Sequence, residues 1–189
     1  SAPIVYASSS AVYGNLPLGN DHKEKFSITS PYAQDKLTAE HYAKIAFEIF
    51  NTSSVGLRLF NVYGPGQRSN SAYAAVIPKW VSSIINKEDV FINGDGETSR
   101  DFCYIKNTIQ MNLLAATTEN ENATNQIFNV AVNDRTSLNK LYLMIEERLI
   151  QRVKGLERKD PVFRDFRAGD FRHSLADIRK AQQLLDYEP

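Results

Sequence analysis

Ile4-Val5-Tyr6-Ala7 runs directly into Ser8-Ser9-Ser10, and Ser54-Val55-Gly56-Leu57-Arg58-Leu59-Phe60 runs into the turn Gly64-Pro65-Gly66. Each apolar run is short and bounded by small polar or turn residues, so each reads as a buried strand. Between them Ser30-Pro31 opens a helix, the serine oxygen capping free backbone N–H groups and the proline ring already holding helical φ. From 31 to about 49, Leu37, Ala39, Ala43, Ala46, Phe47 and Ile49 recur at helical spacing and predict one apolar face. Strand, helix and strand in succession make a βαβ unit whose strands lie parallel. The first strand starts at residue 4, and the sequence reads as entering a domain midway.

The alternation continues outward from that unit. Val76, Ile77, Trp80, Val81, Ile84 and Ile85 predict a helix over Val76 to Asn86, and Val90-Phe91-Ile92 a strand ended by Asn93-Gly94-Asp95-Gly96. A strand fits Arg100 to Ile105 and a helix Thr108 to Thr118, with Ile109, Met111, Leu113, Leu114 and Ala116 mostly buried. Gln126 to Ala131 is one more strand. Thr136 or Ser137 then caps a helix through Leu138, Leu141, Ile145, Leu149 and Ile150, and Asp177 to Leu185 is a last short helix. Alternating strands and helices define the α/β class.

The 189 residues suffice for a sizeable core, and 22 acidic against 22 basic residues cancel. That balance argues against a polybasic nucleic-acid surface or an acidic tail. No apolar run approaches the ~18 residues that cross a bilayer, and Ser1-Ala2-Pro3 opens without a charged targeting region. No nucleic acid, no membrane and a cytoplasmic location are therefore expected. Cys103 is alone and the three histidines are scattered, which predicts neither a disulfide nor a metal cluster.

Open parallel sheets place ligands at the carboxyl ends of their strands, where three polar groups fall. The first is Ser8-Ser9-Ser10-Ala11-Val12-Tyr13-Gly14, although serines after a strand commonly just satisfy backbone groups. The second is Tyr32 with Lys36, at i and i+4 on one helix face. Chance supplies about one such pair in two chains of this kind, and alone it would be a solvated face. Following a strand-end serine cluster, it gains weight. An ammonium beside a phenol favours the phenolate and suits Tyr32 to acid/base work. The third group sets arginines beside glycine and aspartate, in Arg100-Asp101 and Arg167-Ala168-Gly169-Asp170. Each separately fits a surface ion pair, and together their forks suit a diphosphate.

Ser9-x-x-x-Tyr13-Gly14, Tyr32-x-x-x-Lys36, Arg58-x-Phe60-Asn61-Val-Tyr-Gly-Pro65 and Gly96-x-x-x-Arg100-Asp-Phe together resemble the nucleotide-sugar branch of the extended short-chain dehydrogenase/reductase family. Within it, Tyr73-Ala-Ala-Val-Ile-Pro-Lys-Trp80, Ile92 to Tyr104 and Arg164 to Ser174 resemble most closely UDP-N-acetylglucosamine 4-epimerases of the Vi-polysaccharide type. That resemblance implies a partial doubly wound parallel, Rossmann-like sheet in 1–65 and 100–133, half of a dinucleotide-binding domain. A smaller α/β substrate domain would take 66–99 and 134–189. It implies NAD as cofactor, a UDP-N-acetylhexosamine substrate, a role in surface-polysaccharide synthesis and a homodimer. Ser9 would bond the sugar O4, Tyr32 take its proton, and Lys36 hold that charge and the nicotinamide ribose. Phe60 and Val62 would also contact the cofactor, Ser8 and Ser10 neighbour the sugar, and Asn61 touch the diphosphate-sugar. Ala75 and Phe91 would lie by the nucleotide, and Arg100, Arg167 and Asp170 would hold diphosphate and uridine. Ser174, four past Asp170, would leave room for an N-acetyl group. As a residue alone, it also fits a cap on the final helix.

The family's phosphate-binding glycine fingerprint is missing, because Ser69 and Ser99 stand where Gly64/Gly66 and Gly94/Gly96 would need a third glycine. The chain therefore reads as the C-terminal portion of such an enzyme, inactive alone. A reductase, a decarboxylase, a dehydratase or a non-catalytic UDP-sugar module remain as alternatives. The dehydratase is disfavoured by Ser10-Ala11, which occupy the positions of its acid pair.

Overall fold

The computed structural model describes residues 2–70, 75–167 and 169–189, so Tyr73 and Ala74 of the motif above, and Ala168, lie outside the described residues. In chain order the first elements are β1 (Ile4–Ser9), α1 (Pro31–Phe50), β2 (Ser54–Leu59), β3 (Asn61–Tyr63), α2 (Val76–Ile85), β4 (Phe91–Asn93), β5 (Ser99–Arg100) and β6 (Phe102–Tyr104). They are followed by α3 (Ile105–Thr117), β7 (Gln126–Val130), β8 (Thr136–Ser137), α4 (Leu138–Arg152), β9 (Val162–Arg164) and α5 (Arg179–Leu185). The expected α/β alternation of a Rossmann-like fold is present. The chain forms two compact units: residues 1–62, 101–135 and 173–189, and residues 63–100 with 136–172. Residues 173–189 thus belong to the first unit, not to the smaller one expected from sequence. There Ala176, Ile178, Ala181, Leu185 and Tyr187 join the core that the first sheet covers.

In the first unit β1, β2 and β7 form a parallel sheet in the order β1-β2-β7. Val55, Leu57, Phe128 and Val130 from its strands pack with Leu37 of α1 and Met111 and Ala115 of α3. Gly56 gives Tyr6 its room beside β2, because a Cβ there would sit 2.6 Å from the Tyr6 hydroxyl oxygen and push the ring aside. Ser30 caps α1 as expected, accepting from Ala33 N at 3.2 Å. The predicted burial of several elements needs correction. Ile4 is 58% exposed, since β1 is an edge of the described sheet. On α1, Ala33, Leu37 and Glu40 are buried while Phe47 and Ile49 are exposed, and on α3 Ile109 and Leu113 face outward. A helix covering a three-stranded sheet buries only a narrow stripe.

The strand expected over Arg100 to Ile105 is broken at Asp101. Its carboxylate is fully buried, with Oδ1 accepting from Val132 N at 2.9 Å and Oδ2 from Ala176 N at 3.3 Å, which turns the chain between β5 and β6. α3 then begins at Ile105, three residues earlier than predicted.

In the second unit β4 pairs parallel with β9 and β5 antiparallel with β8. α2 and α4 pack through Trp80 and Tyr142, their rings edge-to-face at 6.0 Å. Of the two candidate caps of α4, Thr136 and Ser137, it is Ser137 that caps, accepting from Lys140 N at 3.2 Å. Buried Glu146 accepts from Lys159 N at 2.9 Å and Tyr142 donates to Lys159 O, fixing the approach to β9. Among the described residues no helix is long and apolar enough to cross a membrane.

Burial raises the Asp101 carboxyl to about 6, its backbone donors only partly opposing the shift. Its folded value lies above the unfolded one, so the native state binds the extra proton at low pH. The associated stability is complete near pH 4 and is lost as pH rises through 6. The unfolding free energy of the wild type minus that of Asp101→Asn, from urea titrations between pH 4 and 8, should fall with rising pH by up to about 3 kcal/mol. A difference that rises over this range contradicts the assignment.

Candidate functional site

Ser8, Arg58 and Asn129 stand opposite one another on β1, β2 and β7, a polar row across the carboxyl end of the sheet. All three are buried. α1 lays Tyr32, Lys36 and Glu40 along one face at successive i+4 steps, and Glu40 reaches this row. Its Oε1 accepts from the Ser8 hydroxyl at 2.5 Å and from Arg58 Nε at 2.8 Å, and Oε2 accepts from Arg58 Nη2 at 2.6 Å. Arg58 Nη1 donates to the Tyr13 hydroxyl at 2.8 Å, which donates to Asn129 Oδ1 at 2.8 Å. Asn129 Nδ2 donates to the carbonyls of Gly19 and Asp177, so every group in the row is paired. Burial works against the Arg58 charge, but the Glu40 carboxylate and Tyr13 outweigh it and hold the guanidinium protonated. Burial pushes the Tyr13 phenol up to about 12, so Tyr13 stays neutral and belongs to the framework.

One turn before Glu40, Lys36 Nζ donates to Ala7 O at 2.9 Å and lies 5.7 Å from the Tyr32 ring centroid. The Tyr32–Lys36 pair is thereby tied to β1, which carries Ser8 and Ser9 and leads into Ser10. Tyr32 is 55% exposed, free to meet a ligand. Ser9 is buried, and its hydroxyl accepts from Ala11 N at 3.2 Å, capping the 3-10 turn that Ser10 opens.

The remaining predicted residues of this unit sit differently. Phe60 is buried in the core against Tyr13, with ring centroids 6.1 Å apart, and Val62 is half-buried. Asn61 spends both its backbone N–H and its side-chain amide on Asp101 O, at 3.3 and 3.1 Å. Ser174 is half-buried and does not cap the last helix. α5 begins at Arg179, whose N–H is taken by Asp177 Oδ1 at 3.1 Å, and the Ser174 hydroxyl has no hydrogen-bond partner among the described residues.

The second unit holds the other set. Arg100 Nη2 donates to Asp170 Oδ1 at 2.5 Å and its Nη1 to Ser99 O at 2.9 Å. Arg167 is exposed beside this pair in sequence, and its carbonyl accepts from Asp170 N at 3.2 Å. Ala75 is the N-cap of α2. Phe91 on β4 is covered by the Arg164 guanidinium, 3.2 Å from its ring centroid, and Arg172 grips Asp95 with two bonds of 2.8 and 2.6 Å. Gly94 must be glycine, since φ is +78° and a Cβ would lie 2.2 Å from the Phe166 ring. Among the described residues no three His, Cys, Asp or Glu side chains gather as a metal site.

Sequence reasoning left out Glu40 and Asn129 and quoted Tyr13, Arg58 and Arg164 only as motif residues, with no role of their own. A continued i+4 step from Lys36 would have reached Glu40, and a lone arginine inside Val-Gly-Leu-Arg-Leu demanded a buried partner.

The NAD dependent epimerase/dehydratase family model matches residues 2–131. The chain belongs to that family. It is 33% identical, over 98% of its length and 55% of the relative's, to an uncharacterized UDP-glucose epimerase of Bacillus subtilis, YtcB. A UDP-N-acetylglucosamine 4-epimerase from Methanobrevibacter ruminantium M1, solved with UDP-N-acetylmuramic acid, is 39% identical with a TM-score of 0.88, covering 100% of this chain and 57% of that one. A UDP-glucuronic acid 4-epimerase of Bacillus cereus, solved with UDP-4-deoxy-4-fluoro-glucuronic acid and NAD, is 28% identical with a TM-score of 0.85, covering 98% and 55%. A decarboxylase and a reductase of sugar nucleotides are also among the relatives. The chain thus spans about half the length of the proteins it matches.

The hydroxyls of Tyr13 and Tyr32 differ in burden. Tyr13→Phe strips a partner from both Arg58 and Asn129 and should lower unfolding free energy by about 1–3 kcal/mol, whereas Tyr32→Phe should change it by less than about 0.5 kcal/mol. Urea midpoints of the two variants check this, and equal losses contradict it.

Proposed function

We propose that this chain carries the proton-transfer residues and the nucleotide-sugar contacts of a UDP-hexose 4-epimerase, interconverting UDP-GlcNAc and UDP-GalNAc through a 4-keto sugar. The observation that carries the reading is the Lys36 ammonium, placed between the Tyr32 ring and Ala7 O at the carboxyl end of β1, next to Ser8 and Ser9. These residues fit the nicotinamide-ribose portion of NAD: an exposed phenol and a fixed cation stand where a parallel sheet binds ligands. When bound, NAD supplies a reversible hydride acceptor at the sugar C4. Ser9 bonds the sugar O4, and Tyr32 takes the O4 proton and later returns it, leaving its protonation unchanged after each turnover. Lys36 offsets the negative charge that the Tyr32 oxygen carries before it takes that proton and again after it returns it, and orients the nicotinamide ribose. Phe60 and Val62 act on the cofactor side, with Phe60 backing the site from the core. Ser8 and Ser10 support the sugar loop, and Asn61 contacts the diphosphate-sugar. In the second unit Arg100 and Arg167 take diphosphate, Asp170 takes the uridine, and Ala75 and Phe91 line the nucleotide.

An N-acetylated sugar is supported by the small Ser174 with its unspent hydroxyl, and by the relative solved with UDP-N-acetylmuramic acid. We place the activity in a longer protein containing this chain, because the sequence has no glycine triplet for the dinucleotide phosphates and spans 55–57% of its relatives. The same missing triplet favours a UDP-sugar-binding module for the 189 residues alone. Exposed Tyr42, Ile45, Ile49 and Phe50 on α1 support pairing of two copies. The single buried thiol fits a cytoplasmic protein, and surface-polysaccharide synthesis is the use we assign to the product.

In the protein that contains this chain, Tyr32→Phe should reduce turnover about 10²- to 10⁴-fold with UDP-sugar binding retained, measured by steady-state kinetics and calorimetry. Near-normal turnover would overturn the assignment of the base. Ser174→Tyr should lower kcat/KM for the UDP-GlcNAc/UDP-GalNAc pair about 10-fold or more relative to the UDP-Glc/UDP-Gal pair, since a ring fills the space of the acetyl group. An unmoved ratio places the sugar preference elsewhere.

A further inference from the structure

β4 and β9 pair in parallel, with Phe91 opposite Val162 and Asn93 opposite Arg164. Arg164 is therefore the diagonal neighbour of Phe91 on the same face of the ribbon, within reach of its long side chain. The register is pinned on both flanks, by Val162 N to Val90 O and Gly94 N to Arg164 O, each 2.8 Å. The guanidinium carbon lies 3.2 Å from the Phe91 ring centroid, the separation of a direct stack. No third planar group fits in between.

Three arginines around β4 and β9 are employed unequally. Arg100 is bonded to Asp170 and Arg172 to Asp95. Arg164 is exposed, has no ion pair and makes no side-chain hydrogen bond among the described residues, so its N–H donors remain open to solvent or a ligand. A guanidinium held only by an aromatic face is held weakly at an exposed site. Its fork nonetheless matches phosphate in two parallel bonds.

We propose that Arg164 is a displaceable cover over Phe91: a nucleoside diphosphate takes the Phe91 face with its base, and the released Arg164 pairs with its phosphates. The proposal rests on the assignment of Phe91 to the nucleotide and adds the residue that couples base stacking to phosphate recognition. The exchange gives selectivity against ligands with only one of the two parts. A nucleoside must break the stack and leaves the fork unpaired, whereas a nucleoside diphosphate replaces one contact with a stronger one.

Calorimetry on the 189-residue chain with uridine and UDP tests this, comparing wild type with Arg164→Ala and Arg164→Lys, with far-ultraviolet circular dichroism confirming the fold of each. Arg164→Ala should weaken UDP about 10-fold and tighten uridine about 2- to 5-fold, because the cover is gone and with it the phosphate partner. Arg164→Lys keeps the charge without the planar fork and should fall between wild type and alanine for UDP. Equal weakening of both ligands in Arg164→Ala would make Arg164 a permanent wall of the base pocket and overturn the proposal. No change in either would overturn it too, while leaving the nucleotide assignment of Phe91 standing. A folded wild-type chain that binds neither UDP nor uridine would overturn that assignment along with it.

Discussion

The first unit depends on one buried ion pair, Arg58 with Glu40, whose side chains are 4% and 2% exposed. Two charges removed from water repay their desolvation only when every remaining donor and acceptor is met. Here Ser8 fills the second place on Glu40 and Tyr13 takes the remaining arm of Arg58, passing the chain on to Asn129. The pair therefore dictates three positions at once: the roll of α1, the end of β1 and the 3-10 turn that carries Tyr13. Since Lys36 and Tyr32 precede Glu40 on the same helical face, fixing Glu40 aims them. A slip of one residue along α1 would turn that face by about 100° and leave an unpaired carboxylate inside the sheet.

The second unit solves a different problem with exposed charges. Its arginines sit near glycines with positive φ and near short strands, where Arg164 and Arg172 stay open to solvent and Arg100 is largely covered by its pairing with Asp170. Exposed ion pairs contribute little to stability and exchange readily, which suits groups that must trade one partner for another. The Tyr32–Lys36 pair thus stands on a fully paired frame, and the arginines of the second unit on looser ion pairs.

Much of this was legible in the sequence. The βαβ order, the caps Ser30 and Ser137, and the Tyr32–Lys36 face follow from local rules of spacing and capping that the structure obeys. What local rules missed was set by contacts distant in sequence. Ile4, Phe47, Ile49, Ile109 and Leu113 are apolar at the right period yet exposed, because periodicity says which residues share a face and not whether another element covers it. Asp101 broke an expected strand because its carboxylate serves backbone groups at Val132 and Ala176, and no window around residue 101 contains them. The end of the chain was assigned to the wrong unit for the same reason: Tyr187 donates to Ala131 O, 56 positions earlier. The partnership of Arg58 and Glu40 was half visible, as two charges at positions where the pattern asked for apolar residues.

A double-mutant cycle on Glu40→Leu and Arg58→Met, read by urea unfolding at neutral pH, tests that dependence most directly. Each single change strands a buried charge and should cost about 3–5 kcal/mol, while the double change restores an apolar, unstranded contact and should recover most of that loss. Coupling of more than about 2 kcal/mol is the predicted result. Additive losses would contradict the account and show that α1 is held on the sheet by its apolar stripe alone.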